Sequence, residues 1–145
     1  MWFCLCTRKI AAFDQALSID DKLSYTWNDR GVCFRELGDD TNALKSHLRA
    51  VNLAPDTTEY LFNLGDTQEL IGVLYSSNKY VDSAIHTFRM VSVLLPNNAA
   101  VWDHLGICYK EVGKNEGSKF SFDRASGIRL GNKDTPLIPR RDEFL

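Results

Sequence analysis

The chain has 145 residues, 44% of them hydrophobic, 25% charged and 11% aromatic, the composition of an ordinary globular domain and not of a disordered segment. Its net charge of −2 argues against a nucleic-acid binder that works by charge neutralisation. No apolar run approaches the ~20 residues a membrane helix needs, so no membrane span is expected.

The N-terminus, Met1-Trp2-Phe3-Cys4-Leu5-Cys6, is apolar but too short for a signal-peptide core, and Arg8 and Lys9 follow it instead of preceding it. A secreted, disulfide-built protein is therefore not expected, and the four cysteines (Cys4, Cys6, Cys33, Cys108) point to an intracellular, reducing compartment. Cys4 and Cys6 have no Cys or His pair nearby to complete a zinc knuckle, so no metal or cofactor is expected. Cys33 and Cys108 read as isolated packing residues. Residues 9–21, with Phe13 and Ala16, have the pattern of one amphipathic helix. Asp29–Leu37 reads as a second, closed by Gly38. Ala43, Leu44, His47, Leu48, Ala50 and Val51 fall at helical spacings before Pro55 and make a third. The same two-helix pattern returns around Ile71-Gly72 and Tyr75, then Ala84, Phe88 and Val91 before Pro96. It returns again from Trp102 through Gly113 to Phe122 and Ala125. No strand pattern competes.

These elements obey a period. Phe13, His47, Phe88 and Phe122 are separated by 34, 41 and 34 residues, and so are Ala16, Ala50, Val91 and Ala125. The repeat is thus 34 residues with one insertion of seven, placed between Pro55 and Tyr75. Seven residues are about two helical turns and return a helix nearly to the same face, so one helix lengthened by two turns is expected. Gly38 and Gly113 suit a helix end that needs positive φ; Asn78 and Lys79 hold that place in the middle repeat.

Trp27-x2-Arg30-Gly31-x2-Phe34, then Gly38, Ala43, His47, Ala50 and Pro55, resembles the tetratricopeptide repeat. Trp102-x2-Leu105-Gly106-x2-Tyr109, then Gly113, Ser118, Phe122 and Ala125, is a second match, and Ile71-Gly72-x2-Tyr75, Ala84, Phe88, Val91 and Pro96 a third. Arg30, His47, Ser118 and Leu130 depart from the usual leucine, aromatic, alanine and proline. The resemblance implies an all-α, right-handed α-solenoid of helix-turn-helix repeats. Its parts would be an N-terminal apolar segment and half-repeat helix (1–23), repeats at 24–57, 58–98 (with the insertion) and 99–130, and an extended tail (131–145). Within a repeat, Gly31, Gly72 and Gly106 would admit a close neighbour, and Phe34, Tyr75, Tyr109, Phe88 and Phe122 would fill the space between helices.

In this family the first helix of each repeat lines a concave groove that holds an extended peptide or a partner's helix. The positions carried over are Tyr25, Asn28, Val32 and Arg35; then Asp66, Glu69, Val73 and Ser76; then Ala100, Asp103, Ile107 and Lys110. An apolar stripe (Val32, Val73, Ile107) flanked by Asp66, Glu69 and Asp103 would suit a basic or amphipathic segment. The cationic clamp that chaperone-binding members use for a C-terminal carboxylate is missing, since Asn28, Val32, Leu70, Ala100 and His104 stand in its places. Trp2, Phe3 and Leu5 form a candidate interface at the N-terminal end, where a repeat array normally needs a polar cap. His47, His86 and His104 stand at no spacing of a known catalytic motif, and no glycine-rich phosphate loop occurs. The expected function is a non-catalytic adaptor or scaffold that binds another protein, with no small-molecule substrate, within a larger complex. The alternatives are a structural subunit held through its ends and, behind it, an RNA-binding helical repeat.

Overall fold

The computed structural model describes residues 2–132; the side chains of Trp2 and Phe3, and the stretch 133–145, lie outside the described residues. Among the described residues seven helices follow one another: α1 (Trp2–Ile19), α2 (Ser24–Glu36), α3 (Asp40–Leu53), α4 (Thr58–Leu74), α5 (Asn78–Leu94), α6 (Ala99–Glu111) and α7 (Asn115–Arg129). Among the described residues there is no strand, and no helix is long and apolar enough to cross a membrane. They gather into two compact units, Met1–Thr67 and Gln68–Leu145, the division falling inside α4.

The expected all-α helix-turn-helix architecture is the one observed. The first unit packs α1 on α2 and α2 on α3; the second packs α5 on α6 and α6 on α7. Asp39 caps α3 by accepting from the Asn42 amide at 3.1 Å, and Asn98 caps α6 by accepting from the Ala100 amide at 3.1 Å. α3 stops at Leu53 and α5 at Leu94, ahead of Pro55 and Pro96, which cannot continue a helix. Two tryptophans tie α2 and α6 to the linkers before them: Trp27 Nε1 donates to the Asp21 carbonyl at 2.8 Å and Trp102 Nε1 to the Pro96 carbonyl at 3.0 Å.

The seven-residue insertion is divided between two helices, contrary to the expectation of one helix lengthened by two turns. α4 has 17 residues against 13 in α2 and α6, and α5 has 17 against 14 in α3. Roughly one turn goes to each, so both partners of the middle pair grow together and stay matched in length. The turn between them therefore shifts. Ser76, at φ +48°, takes the place of Gly38 and Gly113 at φ +75°, and Asn78 and Lys79 fall inside α5. The backbone bonds prove the equivalence: Ser77 N–H to Gly72 C=O matches Asp39 to Phe34 and Lys114 to Tyr109. In this register Gly72 stands where Phe34 and Tyr109 stand, and Tyr75, expected as a packing residue, is exposed.

Where the repeats' first and second helices pack, the glycines set the distance. A Cβ on Gly31 would meet the His47 ring at 2.6 Å, one on Gly72 would meet Val81 at 2.6 Å, and one on Gly106 the Phe122 ring at 2.8 Å. Ala43, Ala50, Ala84, Val91 and Ala125 are fully buried around these approaches. Ser118 keeps the alanine place because its hydroxyl donates to the Gly106 carbonyl at 2.9 Å. Arg30 stands in for leucine by lying over Phe34 at 4.6 Å and bonding Asp14 and Ser46 at 2.7 Å.

Gly31→Ala is expected to destabilise the chain by about 1–3 kcal/mol in urea denaturation, because the fully buried His47 ring cannot retreat. Gly106→Ala should cost less, since Phe122 is 36% exposed and can swing outward. Equal losses would show that the two glycines meet equally rigid neighbours.

His47 is fully buried and neither ring nitrogen has a hydrogen-bond partner. Burial, reinforced by the nearby Arg35 charge and opposed by Asp66, lowers its pKa from 6.5 to about 4. A base whose pKa is depressed on folding stabilises fully above its unfolded value and loses that contribution as pH falls. Stability should therefore drop between pH 6.5 and pH 4, by about 3 kcal/mol from this residue at 1.36 kcal/mol per pH unit. His47→Phe should flatten that part of the stability–pH curve, as read from chemical denaturation at each pH.

Candidate protein-binding face

In the first unit, α2 and the part of α4 up to Thr67 carry the positions expected to line a groove. Tyr25 is exposed and Val32 half-buried. Asn28 is almost fully buried: its oxygen accepts from the Asn63 amide at 2.9 Å, and its own amide donates to Glu59 at 3.4 Å. It therefore joins α2 to α4 and is not available to a ligand, a correction to the expectation for this residue. Arg35 is ion-paired with Asp66, which ties the same two helices one to two turns further along.

In the second unit, α4 and α6 are joined by Glu69. Its carboxylate lies 2.7 Å from His104 Nδ1 and accepts from the Cys108 thiol at 3.6 Å. The His104 ring is also stacked on Phe88, with centroids 4.7 Å apart. Burial, first, and the adjoining Glu69 carboxylate, second, push the Cys108 thiol far above its ordinary range, so it stays protonated and donates. Asn28 with Asn63 and Glu69 with His104 are both contacts between successive first helices at an interval of 35 residues. Asp103 is ion-paired with Arg129 of α7.

All three carboxylates that gave the face its acidic lean are thus engaged by this chain's own side chains. What remains outward in the second unit is Val73, 43% exposed, and Ile107, 37% exposed, with Ala100 and Lys110 also exposed. Val73 lies one turn beyond Glu69 on α4, and Ile107 one turn beyond His104 on α6, so each stands on the same side of its helix as the bond that joins the two. Lys110 makes no ion pair among the described residues. Ser76 lies in the turn, off the helical face.

His104 and Arg129 were not singled out as holders of these carboxylates. The 35-residue interval shared with Asn28 and Asn63 could have pointed to His104; nothing local marks Arg129. Cys33, read as isolated, lies beside the Cys6 thiol, and Cys6 donates to the Glu36 carboxylate at 2.7 Å. That bond and burial raise Cys6 to about 12. At the N-terminal end Leu5 is exposed; the Trp2 and Phe3 side chains lie outside the described residues. A shallow cleft between the α5–α6 turn and α7, walled by Leu94, Pro96 and Ile128, had no signal in the periodicity.

With its repeated helix pairs, shared hairpin turns and glycine approaches, the chain has the helix-turn-helix architecture of tetratricopeptide-type repeats. No family model matches it. Over 130 residues, 90% of its length, it is 24% identical to the BBSome complex member BBS4 homolog of Drosophila melanogaster, of which it covers 25%. It is 27% identical to Superkiller complex protein 3 of Mus musculus, matching over 74% of this chain and 6% of that one. With anaphase-promoting complex subunit 3 of Schizosaccharomyces pombe it shares 29% identity over 74% of its own length and 15% of the relative's. The chain thus spans a quarter or less of the curated relatives it matches. Among solved structures, MamA superposes with a TM-score of 0.77 over 93% of this chain and 71% of that one, at 15% identity. A second MamA structure gives 0.75 over 86% and 70%, at 18% identity. These likenesses establish the fold.

Asn28→Ala is expected to cost about 1–2 kcal/mol of stability in urea denaturation, by leaving Asn63 and Glu59 short of a partner. A stability within a few tenths of the parent's would show that water replaces both bonds.

Proposed function

We propose that the chain is a non-catalytic protein-interaction module that works inside a multiprotein assembly, its first-helix face receiving an extended or helical segment of another protein. The observation that carries this reading is the exposure of Val73 and Ile107, set on the successive first helices α4 and α6, whose carboxylates Glu69 and Asp103 are engaged internally. Apolar side chains outward on rigid, evenly spaced helices form an anchoring surface. All three curated relatives are, by name, members or subunits of complexes, which supports the assembly part by analogy. With Asp66, Glu69 and Asp103 engaged, the expected preference for a basic segment loses its support, and the anchor is apolar. The reading includes a reducing intracellular compartment, supported by the buried free thiols of Cys6, Cys33 and Cys108.

The test is co-purification from native extract with the parent and with Val73→Asp/Ile107→Asp, both confirmed helical by circular dichroism. A stoichiometric partner present with the parent and reduced at least about tenfold with the variant is expected, as for an interface anchor. If the same set of proteins comes down equally with both, the face is idle. The chain is then held through its ends, where Leu5 on α1 is exposed.

A further inference from the structure

We propose that Cys6, Cys33 and Glu36 form an oxidation site, at which a hydroperoxide converts the two thiols into a disulfide that joins α1 to α2. Cys6 is 3% and Cys33 6% exposed, and both thiols are free. They belong to helices that pack on one another and stand 27 residues apart in the chain.

The Cys6 thiol donates to the Glu36 carboxylate at 2.7 Å. Glu36 follows Cys33 by one turn of α2, so this bond sets Cys6 over the strip of α2 that carries both residues. There the two thiols are in hydrogen-bonding contact. Cys4 is exposed and, two positions earlier on α1, faces another side of the helix. Cys108 belongs to the second unit and is engaged by Glu69. Packing alone would ask only for small side chains at positions 6 and 33; it gives no reason for a carboxylate on the thiol. Glu36 is itself exposed, so a proton it takes from the buried Cys6 can pass to solvent.

The Glu36 bond, first, and burial, second, push Cys6 up to about 12, so Cys6 enters the reaction as a thiol and Cys33 takes the first step. The Cys33 thiolate attacks one oxygen of hydrogen peroxide. The O–O bond breaks, Cys33 sulfenic acid forms, and the departing hydroxide takes up the proton that Cys33 gave away. The Cys6 sulfur then attacks the Cys33 sulfur. The S–S bond forms, the S–O bond breaks, Glu36 takes the Cys6 proton, and the second hydroxide leaves as water on receiving it. Two thiols lose two electrons and one peroxide gains them, giving two waters. A dithiol reverses the product by thiol–disulfide exchange. Peroxide is little larger than water and reaches the pair when the first turn of α1, where Cys4 and Leu5 are exposed, opens locally.

The test treats the folded chain with hydrogen peroxide, blocks the remaining thiols by alkylation and maps tryptic peptides by mass spectrometry. Cleavage after Arg8, Arg30 and Arg35 places Cys6 with Cys4 in residues 1–8 and Cys33 in residues 31–35. A linked pair of these peptides is expected in the parent and, at the same rate, in Cys4→Ser, and should vanish on adding dithiothreitol. Glu36→Gln keeps an oxygen to accept the thiol bond but cannot take the proton. It should close the link about tenfold more slowly, with Cys33 sulfenic acid accumulating and trapped by dimedone. No link in the folded parent, its loss in Cys4→Ser, or a link between two chains would each overturn the site. So would closure in Glu36→Gln at the parental rate, or dimedone on Cys6 instead of Cys33. In concentrated urea the links should scatter among the four cysteines; the same single link there would trace it to proximity along the chain and overturn the site as well.

Discussion

The close approach of a glycine backbone to a packed side chain of the facing helix governs this structure. At Gly31 against His47, Gly72 against Val81 and Gly106 against Phe122, a single added methyl would lie 2.6–2.8 Å from its neighbour. That distance brings the first helix of a pair down onto the second, and the small residues Ala43, Ala84 and Ser118 are buried. No helix here could bury its apolar face alone, so the pair is the unit of stability and stacking extends it. Departures from the repeat pattern survive where a partner compensates. Ser118 has the Gly106 carbonyl, and Arg30 has Asp14, Ser46 and two aromatic faces. His47 has none, and its burial in a neutral state gives the fold an acid-sensitive point.

The insertion shows how strongly pairing constrains length. Adding two turns to one helix would leave a turn or more of apolar surface without a mate. Sharing the seven residues keeps α4 and α5 equal at 17 each and moves the turn to Ser76. A side-chain-bearing residue is then forced to positive φ, a conformation that costs an L-residue ~1–2 kcal/mol. The backbone accepts that strain because the two hairpin bonds that close the turn are otherwise those of its neighbours.

Electrostatics on the first-helix face follow the same logic of internal satisfaction. Each carboxylate that looked free along the chain is used to bind one helix to another: Asp66 to Arg35, Glu69 to His104 and Cys108, Asp103 to Arg129. These contacts hold the helices in register, and in the second unit they leave the outward chemistry to Val73, Ile107 and Lys110. Recognition on such a surface depends on apolar anchoring, with charge setting orientation more than affinity.

Much of this was legible in the sequence, because a period of 34 is a statement about which residues share an environment. The series Ala50, Val91 and Ala125, all fully buried, the stops at Pro55 and Pro96, and the left-handed glycines Gly38 and Gly113 hold in three dimensions, while Ala16 is only half-buried. The carboxylate partners were not legible: a 35-residue interval such as Glu69 to His104 becomes a contact only once parallel first helices lie side by side. The burial of Asn28 depended on Asn63 and Glu59 arriving from another helix, and the exposure of Tyr75 on where the turn slid. The sequence by itself determined the helices, their pairing and the period, since these follow from local spacing and the absence of a side chain at glycine. Only the tertiary structure decided which polar groups are spent within the fold and which face outward, since that depends on what the neighbouring helix brings to the contact.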